Sequence, residues 1–177
     1  MSMPTCRFET AAEDEEYVYG ACEPGWDFEA STIDAWISFM QENDIERVCC
    51  LLSDGQVAEH DNLIERYGKS FGADQVLHAP ITDHTLIPES KLTDDIIPFI
   101  EDSVAANEQV VVHCKAGIGR TGQALAAWLV YAHDYTPKAA LETVSDRHRT
   151  PDDAVRAGHA TKSELIDRLD SLSTANN

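Results

Sequence analysis

The residues best suited to chemistry stand together at His113-Cys114-Lys115-Ala116-Gly117-Ile118-Gly119-Arg120-Thr121-Gly122. Three valines, Val110–Val112, precede them and read as a buried strand, and the apolar stretch from Thr121 to His133 reads as a helix. A loop passing from a buried strand into a helix N-terminus turns successive backbone N–H groups toward one point. Gly117 and Gly119 permit backbone angles that side chains would forbid, so the segment builds a cradle for an anion. Arg120 can curl over the same concavity and hold two oxygens of a tetrahedral oxyanion together. Cys114 lies at the floor, under the positive end of a helix and beside a guanidinium. Such a setting favours the thiolate over the ordinary thiol with its pKa of about 8.5. The expected chemistry is that of a sulfur nucleophile beneath a bound oxyanion.

Elements before and after this loop must position it. Glu16–Gly20 reads as an early strand, followed by a turn at Glu23-Pro24-Gly25. Ser31 is the expected N-cap of a helix whose stripe is Ile33, Trp36, Ile37 and Met40 and which ends near Asn43. Val48–Leu52 is a buried strand stopped by Ser53-Asp54-Gly55; a helix near Asp61–Tyr67 leads to a strand at Gln75–His78, then an irregular loop from Ala79 to Pro88. A helix with Leu92, Ile96, Phe99 and Ile100 inward brings the chain to the valine strand. Three helices close it, at Thr121–His133, Pro137 to about Arg147, and about Asp152 to Leu172. Strands separated by helices imply an α/β fold with a mainly parallel central sheet flanked by helices. No repeat or linker divides residues 1–177, so one domain is expected.

The loop resembles the signature of the cysteine-dependent protein phosphatases, the protein-tyrosine phosphatase superfamily, written H-C-x5-R-[S/T]. Chain length, the Pro80-Ile81-Thr82-Asp83 segment and the closing helices look like the small atypical dual-specificity phosphatases, with the resemblance running from about Tyr17 to Leu172. The resemblance implies roles. Cys114 attacks phosphorus and becomes phosphocysteine; Arg120 and the backbone of Lys115, Ala116, Gly117, Ile118, Gly119 and Arg120 bind the phosphate; Thr121 donates its hydroxyl to the departing thiolate; His113 orients the loop. It also implies an acid for the leaving group on another loop, and Asp83, 31 residues before Cys114, stands where relatives carry it, with His84 in reserve. One departure concerns the second step. After Arg147-His148-Arg149, small relatives continue with proline, glycine and a glutamine that holds the hydrolytic water. Here Thr150-Pro151-Asp152-Asp153 follows with no glutamine in reach; His159 reads as a surface histidine first and a substitute for the glutamine second, while Arg149 reads as a partner for surrounding acid or as added positive charge near the pocket.

Composition bounds the partners. Seventeen Asp and fifteen Glu against five Lys and eight Arg give a net charge of −19, dispersed along the chain. That field repels nucleic acid and anionic membranes, and no run approaches the roughly 18 apolar residues of a membrane span. Scarce lysine and dispersed acid look like proteins of a halophilic archaeon, since molar salt shortens screening to about 3 Å. Five cysteines, an odd number without a CxxC pair or a recognisable disulfide framework, and a Met1–Arg7 start unlike a signal peptide, give a cytoplasmic expectation. Adjacent Cys49 and Cys50 are expected to be buried on opposite faces of a strand.

The reading is a protein phosphatase for phosphotyrosine, with phosphoserine and phosphothreonine as further substrates, using no metal or cofactor. Alternatives are a phosphatase for inositol phosphates or RNA 5′-phosphates and a phosphate-binding pseudophosphatase module. Lys115 fits the inositol-lipid enzymes, but those carry a second lysine where Ile118 stands. A phosphorylated protein or a small phosphomonoester is the expected partner; oligomeric state stays open.

Overall fold

The valine run dictates the centre of the molecule. In the computed structural model, which describes residues 3–27 and 31–173, strand β5 (Gln109–His113) lies between two parallel neighbours, β2 (Val18–Ala21) and β3 (Ile45–Cys50). A strand with neighbours on both edges and helices on both faces has no wet side, and Val110, Val111 and Val112 are all fully buried. Beyond them β4 (Val76–His78) pairs parallel with β3, and β1 (Glu9–Thr10) pairs antiparallel with β2. The sheet order is therefore β1-β2-β5-β3-β4, an α/β fold with a mainly parallel sheet.

Two apolar layers cover it. One face packs α1 (Ile33–Glu42) and α3 (Leu63–Phe71) around Trp36, Met40, Tyr67 and Val111. The other packs α5 (Ile97–Ala105), α6 (Gly119–His133), α7 (Pro137–Ser145) and α9 (Lys162–Asp170) around Ile100, Leu125, Leu129 and Val112. Cys49 and Cys50 fall into different layers, as alternation along a strand requires. Burial raises both thiols, that of Cys50 to about 12, which keeps them protonated and apolar in character.

Local chemistry moves several boundaries. Thr32, rather than Ser31, caps α1, its hydroxyl accepting from the Ala35 N–H at 3.0 Å. The helix before β5 begins at α4 (Glu89–Lys91), passes through a π-helical turn at Leu92–Ile96 and continues as α5. The segment expected as one helix from Asp152 to Leu172 is two, α8 (Asp153–Arg156) and α9. Gly158, at φ +81°, ends the first, and a Thr161–Glu164 capping box starts the second. A short helix, α2 (Asp54–Ala58), was not expected: a Ser53–Gln56 capping box starts it, but none of its residues is buried, so no apolar period marks it.

The cysteine arithmetic also needs correction. Cys6 and Cys22 form a disulfide, although the count of five gave no framework. Pairing of β1 with β2 folds the N-terminal segment back beside the end of β2, which places the two Cα atoms 5.1 Å apart across 16 residues of chain. Closing a loop of that length is worth on the order of 3 kcal/mol.

A buried carboxylate fixes the edge of the sheet. Glu15 is 5% exposed and accepts from the Trp128 indole at 2.5 Å, from His133 at 2.9 Å, and from the Tyr17 and Val18 amides. Removing the acceptor orphans buried donors from two elements. Glu15→Ala should therefore cost about 3 kcal/mol in urea denaturation, with Glu15→Gln recovering part of it. A loss below about 0.5 kcal/mol would contradict this account.

Candidate active site

The β5–α6 loop is held from beneath. His113 is completely buried; its Nδ1 lies 3.0 Å from the Cys114 carbonyl and its Nε2 lies 3.1 Å from the Tyr67 hydroxyl. A carbonyl only accepts, so Nδ1 carries the proton and the tyrosine donates to Nε2. Burial pushes the His113 pKa down to about 4, which keeps the ring neutral and this hydrogen-bond order fixed. Above it, the Thr121 hydroxyl donates to Cys114 Sγ at 3.1 Å, as the resemblance implied. Gly117 adopts φ +76°, and a Cβ there would come within 2.6 Å of the Ala21 carbonyl, so only glycine fits.

Arg149 takes the place near the pocket that was the second of its two sequence readings. Instead of pairing with surface acid it is 4% exposed and donates to the carbonyls of Gly117 and Arg7. Its place is made by Gly20, where a Cβ would sit 2.7 Å from the guanidinium carbon. Burial lowers its pKa to about 10, so the cation persists at neutral pH under the phosphate loop.

Arg120, in the first turn of α6, is 2% exposed. Its Nη1 donates to the Leu51 carbonyl (3.3 Å), the Ile81 carbonyl (3.0 Å) and Gln56 Oε1 (2.8 Å), and its Nη2 lies 3.2 Å from Asp83 Oδ1. Nε is buried and has no partner among the described residues. Gln56 is a second residue with no signal in the sequence. It belongs to the α2 cap, yet its amide bridges the site, accepting from Arg120 and donating to Asp83 Oδ2 at 3.3 Å. Asp83 thus reaches the site on the loop after β4, as expected. Buried Gln123 on α6 ties that loop down, accepting from the Ile87 amide and donating to the Thr85 carbonyl, each at 2.9 Å.

Asp83, Cys114, Lys115, Ala116, Ile118, Gly119 and Arg120 border one cleft of about 240 Å³, joined by Trp26, His84 and Asp153. Trp26 stands 51% exposed at the rim. Lys115 lies 3.6 Å from Glu59. His84 Nδ1 bonds Asp153 Oδ2 at 2.8 Å, and that bond, followed by the field of Asp83, raises the His84 pKa. Ligand atoms of Asp83, His84 and Asp153 lie within 4.8 Å of one another, but within this group His84 Nδ1 is already hydrogen-bonded to Asp153 and Asp83 is paired with Arg120. His159 is exposed, as the preferred surface reading has it, and donates to the His84 carbonyl at 2.7 Å.

A strand-to-helix oxyanion cradle with cysteine beneath and arginine over it, on this sheet, defines the dual-specificity and protein-tyrosine phosphatase superfamily. Within it the chain belongs to the family described as "Polymorphic toxin system, DSP-PTPase phosphatase", whose sequence model matches residues 21–134. It is similar to the dual specificity protein phosphatase OPG106 of vaccinia virus, 38% identical over 55 residues, a match covering 31% of this chain and 32% of the viral protein. The chain thus spans about a third of the curated relatives it first matches. In fold it is similar to Tk-PTP in its active form, with a TM-score of 0.69 and 23% identity over 97% of each chain. It is similar also to PTPMT1 in complex with PI(5)P, with a TM-score of 0.70 and 15% identity over 96% of this chain and 99% of that one.

Two outcomes test this geometry without assaying turnover. In calorimetric titration with tungstate, Arg120→Lys should weaken binding about 10²-fold, the loss of two charge-assisted hydrogen bonds of roughly 1.5 kcal/mol each. Arg149→Met should weaken it about tenfold by releasing the loop; unchanged affinity in both would remove the anion site. Neutral burial of His113 also predicts a pH dependence. Between pH 6.5 and 4 the unfolded chain binds the proton that the folded chain refuses. Stability is then full above pH 6.5 and is lost as pH falls toward 4, by an amount on the order of 3 kcal/mol. The difference between wild type and His113→Asn in urea midpoints should shrink across that window, whereas parallel curves would contradict a neutral buried ring.

Proposed function

We propose that the protein hydrolyses phosphomonoesters of proteins, phosphotyrosine first and phosphoserine or phosphothreonine second, through a phosphocysteine intermediate. The observation that carries this is the Thr121 hydroxyl donating to Cys114 Sγ at 3.1 Å beneath the buried Arg120 guanidinium, whose Nε has no partner among the described residues. A hydroxyl aimed at sulfur stabilises a thiolate, both before attack and when it departs.

The steps follow from charge. A bound phosphate dianion accepts from Arg120 Nε and Nη2 more strongly than Asp83 does, and it draws the guanidinium off the carboxylate now 3.2 Å away. Freed from the guanidinium, Asp83 takes a proton from solvent and turns to the ester oxygen. Sulfur attacks phosphorus, the loop amides and Arg120 hold the equatorial oxygens, and Asp83 gives its proton to the leaving alkoxide or phenoxide. Trp26 at the rim supplies an aromatic wall for a phenyl ring. The inositol phosphate reading has less support: Lys115 already faces Glu59, and Ile118 brings no charge. An RNA 5′-phosphate end meets the −19 field, and the pseudophosphatase reading lacks the missing catalytic group that would motivate it.

The halophilic setting and the cytoplasmic site of action belong to the same proposal. Dispersed acid at −19 is tolerable where salt screens it, and a catalytic thiol works best where reductants protect it. The Cys6–Cys22 bond, with both residues 1% exposed or less, is itself shielded from those reductants. No helix among the described residues is long and apolar enough to cross a membrane.

An aryl phosphate with chelator present in molar potassium chloride provides the decisive assay. Wild type should turn over, Cys114→Ser should not, and Asp83→Ala should slow hydrolysis by about 10²-fold or more for poor leaving groups and least for nitrophenolate. Activity surviving Cys114→Ser would end the mechanism. In circular dichroism, helicity should rise with potassium chloride toward molar concentration; a fully folded, equally stable protein in low salt would remove the halophilic reading.

A further inference from the structure

Asp83 and Asp153 are the two carboxylates that border the catalytic cleft. Asp83 faces Arg120 and Gln56, and the leaving-group chemistry uses it. Asp153 has no part in that chemistry, yet it is placed with care. The Thr150 amide donates to the Ile118 carbonyl at 3.2 Å, and Pro151 packs on Gly122, where a Cβ would stand 3.1 Å from its Cα. The turn from 150 to 153 is thereby docked onto the phosphate loop itself. Gly119 completes the fit: a Cβ there would lie 3.0 Å from Asp153 Cβ and Oδ2. The Asp153 carboxylate therefore rests against the loop one residue before Arg120.

A carboxylate in this place is costly on its own. Beside a phosphate dianion its charge is repulsive at short range, where solvent screens little. His84 answers that cost. Its ring bonds Asp153 Oδ2 at 2.8 Å and approaches Asp83 Oδ2 at 3.7 Å, and both carboxylates raise its pKa, while Arg120 acts weakly against them. Asp153 is left with Oδ1, which has no hydrogen-bond partner among the described residues and is free to accept one more proton donor at the cleft.

We propose that Asp153, held by the His84 ring, orients the water that cleaves the phosphocysteine. The inference rests on the phosphatase reading above and supplies its second step. In that step a water lone pair forms the new O–P bond on the side opposite sulfur, where the leaving group has departed. One water O–H donates to Asp153 Oδ1. The other proton passes to Asp83, which lost its own proton to the leaving group. The S–P bond breaks, its electron pair returns to Cys114 as thiolate under the Thr121 hydroxyl, and inorganic phosphate leaves. Asp83 handles the proton in both steps, and Asp153 fixes the direction of attack.

Stopped-flow hydrolysis of p-nitrophenyl phosphate separates the steps, because nitrophenolate is released in the first and water is consumed in the second. Asp153→Asn keeps the volume and removes the charge. Its burst rate constant should stay within about twofold of wild type while steady-state turnover falls about 10²-fold. The phosphocysteine should then persist on the protein in intact mass spectra. His84→Gln should weaken orthophosphate binding about tenfold, and the double variant His84→Gln with Asp153→Asn should recover it, since the repulsive charge is gone. If Asp153→Asn slows burst and steady state equally, or changes neither, the water-orienting role is wrong while Cys114-dependent hydrolysis stands. If wild type shows no Cys114-dependent turnover, the phosphatase reading fails and this role falls with it.

Discussion

An anion cradle creates a problem on its far side. Turning the N–H groups of residues 115–120 toward one point turns their carbonyls outward into a dry core, where an unpaired backbone acceptor is expensive. Each carbonyl with a recorded donor is met by a different part of the chain. The His113 ring serves Cys114, the Glu23 amide serves Lys115, Arg149 serves Gly117, and the Thr150 amide serves Ile118. Much of the surrounding architecture exists to deliver those donors. The parallel pairing of β2 with β5 ends with Ala21 beside His113, which sets Cys22 and Glu23 beneath the loop, and the turn after α7 brings Arg149 and Thr150 to its other side.

Arg120 carries the same constraint in the opposite sign. A guanidinium at 2% exposure must find acceptors, and it takes the Leu51 and Ile81 carbonyls from chain leaving β3 and β4, together with Gln56 and Asp83 from the loops beyond. One buried charge thus joins the ends of two strands, a helix cap and the acid loop. In the reaction we propose, the side chain that would hold substrate phosphate also sets the resting position of the proton donor, so phosphate binding and release of Asp83 would be one event.

Legibility in the sequence followed the range of each interaction. The valine strand, the phosphate loop and the following helix are encoded in one unbroken stretch, residues 109–133, and their pattern was sufficient. Asp83 was reached through the resemblance, which sets an acid on the loop after β4, and the structure brings its carboxylate to Arg120. Gln56, Gln123 and Arg149 act across 64, 36 and 32 residues, and nothing local distinguishes them from surface side chains. Arg149 illustrates the difficulty best, since an arginine beside His148 in an acidic protein reads as an ion-pair partner until Gly20 is seen to leave it room. The Cys6–Cys22 pair was hidden likewise, because a two-residue β1 gives no alternating pattern from which to infer the fold-back.

The net charge of −19 and a site for phosphate are reconciled by the distance over which each acts. Within the loop, amides, a helix end and a buried guanidinium bind at hydrogen-bond range, where solvent screens little. The cleft rim then repeats the problem at short range, for it holds Asp83 and Asp153 as well as Lys115. Asp83 is paired there with Arg120, Asp153 with the His84 ring and Lys115 with Glu59. The rim groups are consequently engaged with one another before substrate arrives. In the reaction we propose, phosphate is bound not by a broad positive field, which the net charge of −19 denies this surface, but by the donors of the loop and its helix end.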